Sequence, residues 1–221
     1  DVLSMNNAIK IINQFDSFKN LNQQLEKFTK NNQTKLAGDI FELVVKLFLQ
    51  TNPKYKTKLK KVWLLNELNE EIRNKLNLPI RDEGIDLIAE TFDKRYWAIQ
   101  AKYRSNPNET LTLGGSGGLA TFSSLTFNYC KKISHGLVCT TVDKPPKKMK
   151  LLKSIGFETL DNWLALDDND KEGWKNLIAK SKGKIIKPKL FKPKAHQVNA
   201  IQKSLKYFKK NNRGKILMPC G

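Results

Sequence analysis

Histidine is nearly absent from this 221-residue chain: His135 and His196 are the two. A zinc finger, a zinc hydrolase or a nuclease built on a histidine-held metal needs more imidazoles than that. Cysteine is scarce as well. Cys130, Cys139 and Cys220 form no CxxC pair and leave one thiol over in any disulfide scheme, which argues for a reducing compartment and for small buried side chains. No run of 18 apolar residues occurs, and the opening DVLSMNNAIKIINQF has no basic stretch leading into an apolar one, so the chain reads as cytoplasmic with no membrane partner. Acidic residues are outnumbered, 21 Asp and Glu against 40 Lys and Arg, for a net charge of +19. A protein this basic is suited to a polyanion, because each phosphate neutralised by a lysine releases counterions. An AT-rich coding sequence would also enrich Lys and Asn, and arginine is indeed rare: Arg73, Arg81, Arg95, Arg104 and Arg213 are all there are.

What is present is mostly helical and strand periodicity. Ile9, Ile12, Phe15, Phe18, Leu21, Leu25 and Phe28 recur at helical spacing and predict one or two amphipathic helices over residues 5–30. A further helix is expected over 35–50, stopping before Pro53. The segment KKVWLLNELNEEIRNKLNLPIRDEG predicts a short strand, a helix and a turn. GIDLIAETFDKRYWAIQAKYR then alternates as a strand hairpin, a helix is expected from Gly118 to Lys132, and HGLVCTTVD reads as another strand. Residues 147–180 mix helix and strand signals, with Asp168 or Asn169 as an N-cap; Trp163 and Trp174 sit among apolar residues as core. SKGKIIKPKLFKPK is basic and proline-broken, hence a linker, and AHQVNAIQKSLKYFKKN followed by KILMP predicts a closing helix and strand.

The hairpin carries the chemistry. A period of two places Tyr96, Ala98, Gln100 and Lys102 on one face of the second strand and Trp97, Ile99, Ala101 and Tyr103 on the other. A turn centred on Asp93 and Lys94 sets Asp86 opposite residue 101, give or take one. A carboxylate, an amide oxygen and an ammonium thus share one small volume. On the helix GDIFELVVKLFL, Leu36, Ile40, Leu43 and Leu47 form the core face, but Glu42 also has Val45 and Leu49 one and two turns on. A carboxylate there either coordinates a cation, or reaches solvent, or pairs with Lys46.

Glu42, GID at Asp86 and QAK at Gln100–Lys102 resemble the PD-(D/E)xK nuclease pattern in the QxK version of Mrr-type restriction endonucleases. LPIRDEGIDLIAE, YWAIQAKYR and GLATFSS look like the N-terminal nuclease domains of type ISP restriction enzymes and related superfamily-two helicase-nucleases. The resemblance implies an α/β fold, a restriction-endonuclease-like core in which helices flank a mixed central sheet. It also implies Mg²⁺-dependent hydrolysis of double-stranded DNA in the bacterial cytoplasm. Asp86, Gln100, a carbonyl near Ala101 and Glu42 would hold the cation, with Lys102 facing the phosphate. Gln100 departs from the usual acid and leaves the site one negative charge poorer. The alternatives are a non-catalytic DNA-binding module on the same fold and the nuclease of a repair helicase-nuclease.

FKPKAHQVNAIQKSLKYFKKNNRGKILMPCG resembles the entry to a superfamily-two motor, with Gln197 where that family reads adenine. The implied plan is a helical extension at 1–34, a nuclease domain at 35–180, a basic linker at 181–194 and the start of a helicase motor at 195–221. ATP would then serve a longer polypeptide carrying the motor, with or without a methyltransferase, and not this piece alone. LGGSGG lacks the Lys-Ser/Thr ending of a Walker loop and reads as a flexible loop, and KPPKKMKLLK as a solvated face open to phosphates.

Overall fold

The computed structural model describes residues 2–79, 84–114, 118–146, 154–168, 172–186 and 194–215. Two units are distinguished, 1–186 and 187–221. The first begins with three helices, α1 (Val2–Ile12), α2 (Phe18–Lys30) and α3 (Thr34–Thr51). Pro53 ends α3 as predicted, yet it also opens a one-turn helix α4 (Pro53–Lys56), since a proline at the first helical position has no N–H to waste. Then come β1 (Leu59–Leu64), α5 (Glu70–Leu76), β2 (Leu87–Thr91), β3 (Tyr96–Lys102), α6 (Leu119–Ser124), β4 (Ile133–Thr140), β5 (Ile155–Glu158), α7 (Leu160–Leu164) and α8 (Gly173–Ser181).

The strands form one sheet in the order β1-β2-β3-β4-β5. The first three run antiparallel, and β3, β4 and β5 run parallel, so the sheet is mixed and needs cover on both faces. One face packs on α3, which is buried along most of its circumference, together with Ile12 from α1 and Phe18, Leu21 and Leu25 from α2. Trp163 lies completely buried in this layer, against Phe18, Phe41 and Phe48, and donates its indole N–H to the Thr140 carbonyl at 2.8 Å. The other face packs on α5 and α6 through Leu76, Leu119 and Phe122. The architecture is therefore α/β with a mixed sheet between helical layers.

Two boundaries differ from expectation. The helix predicted to Lys132 gives way after Ser124 to a π-turn over Leu125–Tyr129, because the Cys130 N–H reaches back five residues to the Leu125 carbonyl at 2.8 Å. The helix expected to follow an Asp168 or Asn169 cap starts only at Gly173, where a side chain would press on the Leu166 backbone at 3.0 Å; Asn169 lies outside the described residues. So do the central residues of LGGSGG, most of KPPKKMKLLK, the middle of the linker and the KILMP strand.

In the second unit the described element is α9 (Ala195–Phe208). Gln197 stands in its first turn, where its side-chain oxygen accepts the Lys194 N–H at 2.9 Å and caps the helix.

Candidate active site

Asp86 precedes β2 and is held by its backbone on both sides. Its N–H donates to the Ile99 carbonyl and its carbonyl accepts the Leu65 N–H, each at 2.9 Å. Its carboxylate then turns onto β3 and accepts the Ala101 N–H at 2.6 Å. The ladder pairs Leu87 with Ile99, which sets Asp86 across from Gln100, one residue from the position expected of a two-residue turn. The loop is longer than that by one: Thr91 and Arg95 close it by a backbone bond of 2.9 Å, and Lys94 takes the left-handed φ of 62° that such a loop needs.

Gln100 lies in the middle strand, 2% exposed, and its amide oxygen has no hydrogen-bond partner among the described residues. Leaving a buried acceptor unmet costs about 1–3 kcal/mol, so this oxygen is disposed toward a donor or a cation. Its amide nitrogen lies against Gly84, where an added Cβ would come within 2.9 Å. Gly84 also has φ +106°, outside the range side chains adopt readily. The glycine of GID thus makes the turn into β2 and leaves the room that the Gln100 amide fills. Lys102 follows on the same face, half-buried, and its carbonyl accepts the Thr140 hydroxyl at 2.9 Å. Thr141 fastens the next turn of chain, accepting the Arg104 N–H and donating to the Arg104 carbonyl, both at 2.7 Å. These two threonines hold this end of β3 to β4. Their signal in the sequence is faint, a polar pair closing an apolar strand.

Glu42 stands on α3, which covers the face of Ile99, Ala101 and Tyr103, the reverse of the one that carries Gln100 and Lys102. Val45 and Leu49, its neighbours one and two turns on, are fully buried, and the adjacent Phe41 packs its ring 5.9 Å from that of Tyr103, just beyond β3. Lys46, weighed as its partner, places its ammonium on both oxygens of Glu67 at 2.5 and 2.7 Å. Behind the site Cys139 is fully buried, and burial pushes its thiol well up, with the Glu158 carboxylate adding to the effect. It is a neutral packing group, not a nucleophile.

Asp86, Gln100 and Lys102 therefore converge on one end of the sheet, while the helix bearing Glu42 packs on the opposite face. Gln197 belongs to the other unit. Among the described residues no three His, Cys, Asp or Glu side chains gather as metal ligands, so a cation here would depend on neutral oxygens as much as on carboxylates.

A family model described as restriction endonuclease matches residues 50–160. The chain belongs to this restriction endonuclease family. The match takes in Asp86, Gln100 and Lys102 and leaves Glu42 outside. Among solved structures, this restriction endonuclease chain is similar to the ATP-dependent Type ISP restriction-modification enzyme LlaBIII bound to DNA, with a TM-score of 0.58 and 25% identity over 92% of the chain. It spans 12% of that protein's length. No curated protein matches it.

Proposed function

We propose that this restriction endonuclease domain hydrolyses DNA phosphodiester bonds with a divalent cation, Mg²⁺ in the cell, and that it works within a longer ATP-driven restriction enzyme. The observation that carries the reading is the buried Gln100 oxygen, unpartnered among the described residues, on the residue across the ladder from Asp86, whose carboxylate the Ala101 N–H fixes in direction. Hard oxygens of this kind suit a small cation that keeps several waters. Asp86 and Gln100 would hold it, and Glu42 would join them only by coming round the end of the sheet from α3. A divalent cation bound there lowers the pKa of a water and offsets charge on the phosphate.

The chain's own residues do the rest. Lys102, two residues beyond Gln100 on the same face, sets a positive charge against the phosphate and orients the attack. The threonine clamp fixes the backbone from which Lys102 projects, since its strand is tied to β4 at the residue itself. The helicase motor, the adenine-reading role of Gln197 and the division at 35–180, 181–194 and 195–221 belong to the same proposal, supported by a DNA-bound neighbour that is itself ATP-dependent and far longer.

The test is cleavage of plasmid DNA beside calorimetry with Mn²⁺ and Mg²⁺. Asp86→Asn retains an oxygen for the Ala101 N–H and should keep the fold, yet lose cleavage by at least about 100-fold along with cation binding. Lys102→Ala should lose cleavage to a similar degree while cation binding survives. Unchanged cutting by Asp86→Asn rejects the site. DNA binding with no cation binding would establish instead a non-catalytic module on the nuclease fold.

A further inference from the structure

A second concentration of chemistry lies on β1, away from the Asp86 cluster. Lys54, Lys56, Lys58, Lys60 and Lys61 crowd into one short stretch, and the β1–β2 ladder shifts register between Leu59 and Lys61. That bulge leaves two successive lysines, Lys60 and Lys61, exposed, where an unbroken strand would send one of them toward the core. β1 is an edge strand. Beside it runs a groove of about 390 Å³ whose lining includes Lys56, Lys60, Lys61, Lys180, Trp63 and Phe92, and among the described residues no carboxylate. Phe92 is 62% exposed, and the Lys61 ammonium lies 5.8 Å from the centre of the Trp63 ring.

Edge strands often carry lysine to discourage strand pairing. That need explains Lys60 and Lys61, but it explains neither Lys180 arriving from α8 nor an open phenyl ring on the same concavity. Four cations with no anion among them repel one another until a polyanion enters, and an aromatic face offers stacking that a paired base inside a duplex cannot reach. We propose that this groove binds single-stranded nucleic acid, lysines on the phosphates and Phe92, with Trp63, against unpaired bases. Thr91, which pairs with Leu59 at the head of the groove, stands five residues along β2 from Asp86. At about 3.3 Å per residue that is roughly 17 Å. A strand separated from its complement could therefore be held at a fixed distance from the nuclease site. The inference rests on the groove alone and holds whether or not the chain cuts.

Anisotropy with a labelled oligothymidylate and with a duplex of equal length tests it, in an Asp86→Asn background free of divalent cation. The variant Lys56→Gln/Lys60→Gln/Lys61→Gln should bind the single strand at least about tenfold more weakly, its log–log salt slope reduced by about 2. Phe92→Ala should weaken binding about tenfold with the slope unchanged, because it removes stacking and no charge. Unaltered affinity and slope in the triple variant would overturn the proposal. So would tighter binding of the duplex that Phe92→Ala leaves untouched, which would assign the groove to double-helical backbone. Failure of plasmid cleavage bears only on the nuclease reading, since this assay never calls on it.

Discussion

At the scale of single residues, the site turns on two side chains that constrain each other. Gln100 fits because residue 84 has no side chain: the amide nitrogen occupies the space a Cβ would take. Gly84→Ala therefore meets two penalties, a φ of +106° that alanine resists and a contact of 2.9 Å. The backbone penalty is about 1–3 kcal/mol. The contact is with the end of a side chain, which relieves it by swinging away and taking the Gln100 oxygen with it. Gly84→Ala should thus lose cation affinity out of proportion to its loss of stability, as calorimetry beside urea unfolding would register. Equal retention of cation binding and loss of stability alone would mean that the amide oxygen has no ligand role.

At the scale of elements, long-range contacts do what local pattern does not announce. The N-terminus of α2 is capped locally, the Ser17 hydroxyl accepting the Asn20 N–H at 3.3 Å, but its first two donors, the N–H groups of Phe18 and Lys19, bond the Asp167 carboxylate at 2.6 and 2.9 Å. An anion at a helix start meets both the unpaired donors and the positive end of the dipole. Asp167→Ala should cost about 1–2 kcal/mol in urea unfolding, and a change under about 0.3 kcal/mol would show that water replaces the cap. A contact across 149 positions leaves no trace in local sequence. The hairpin was legible for the opposite reason: strict alternation divides Tyr96 and Ala98 from Trp97, Ile99, Ala101 and Tyr103, and the two cores separate along that line. Only its register moved by one residue, because the left-handed backbone at Lys94 lengthens the loop and lysine gives no sign of it. The threonine clamp on β3 stayed hidden too. So did Glu158, which is 1% exposed in the sheet and bonded by the Tyr55 hydroxyl and, at 2.5 Å, by Lys54, more than 100 positions away in the chain.

At the scale of the whole molecule, charge sets how the domain meets its substrate. The excess of +19 is carried overwhelmingly by lysine, and of the five arginines Arg95 pairs with Asp93 at 2.6 Å and Arg104 with Glu109 at 3.0 Å. Lysine contacts phosphate as a mobile point charge, whereas bidentate reading of guanine calls for the planar fork of arginine. The chain is thus equipped to hold DNA and poorly equipped to read it. Sequence choice in a restriction enzyme that used this domain would have to come from another part of the polypeptide, and cleavage position from whatever brings the domain to its site. Isolated, it should bind unrelated duplexes of equal length with affinities within about threefold of one another, each mismatch in a truly read site being worth about 1–3 kcal/mol, or roughly fivefold and more. The same titrations should fall steeply with salt, by about 0.9 in log–log slope for every phosphate engaged. A slope near zero would refute the electrostatic account, and a tenfold preference for one duplex that survives high salt would mean that the scarce arginines, or a surface outside the described residues, do read bases.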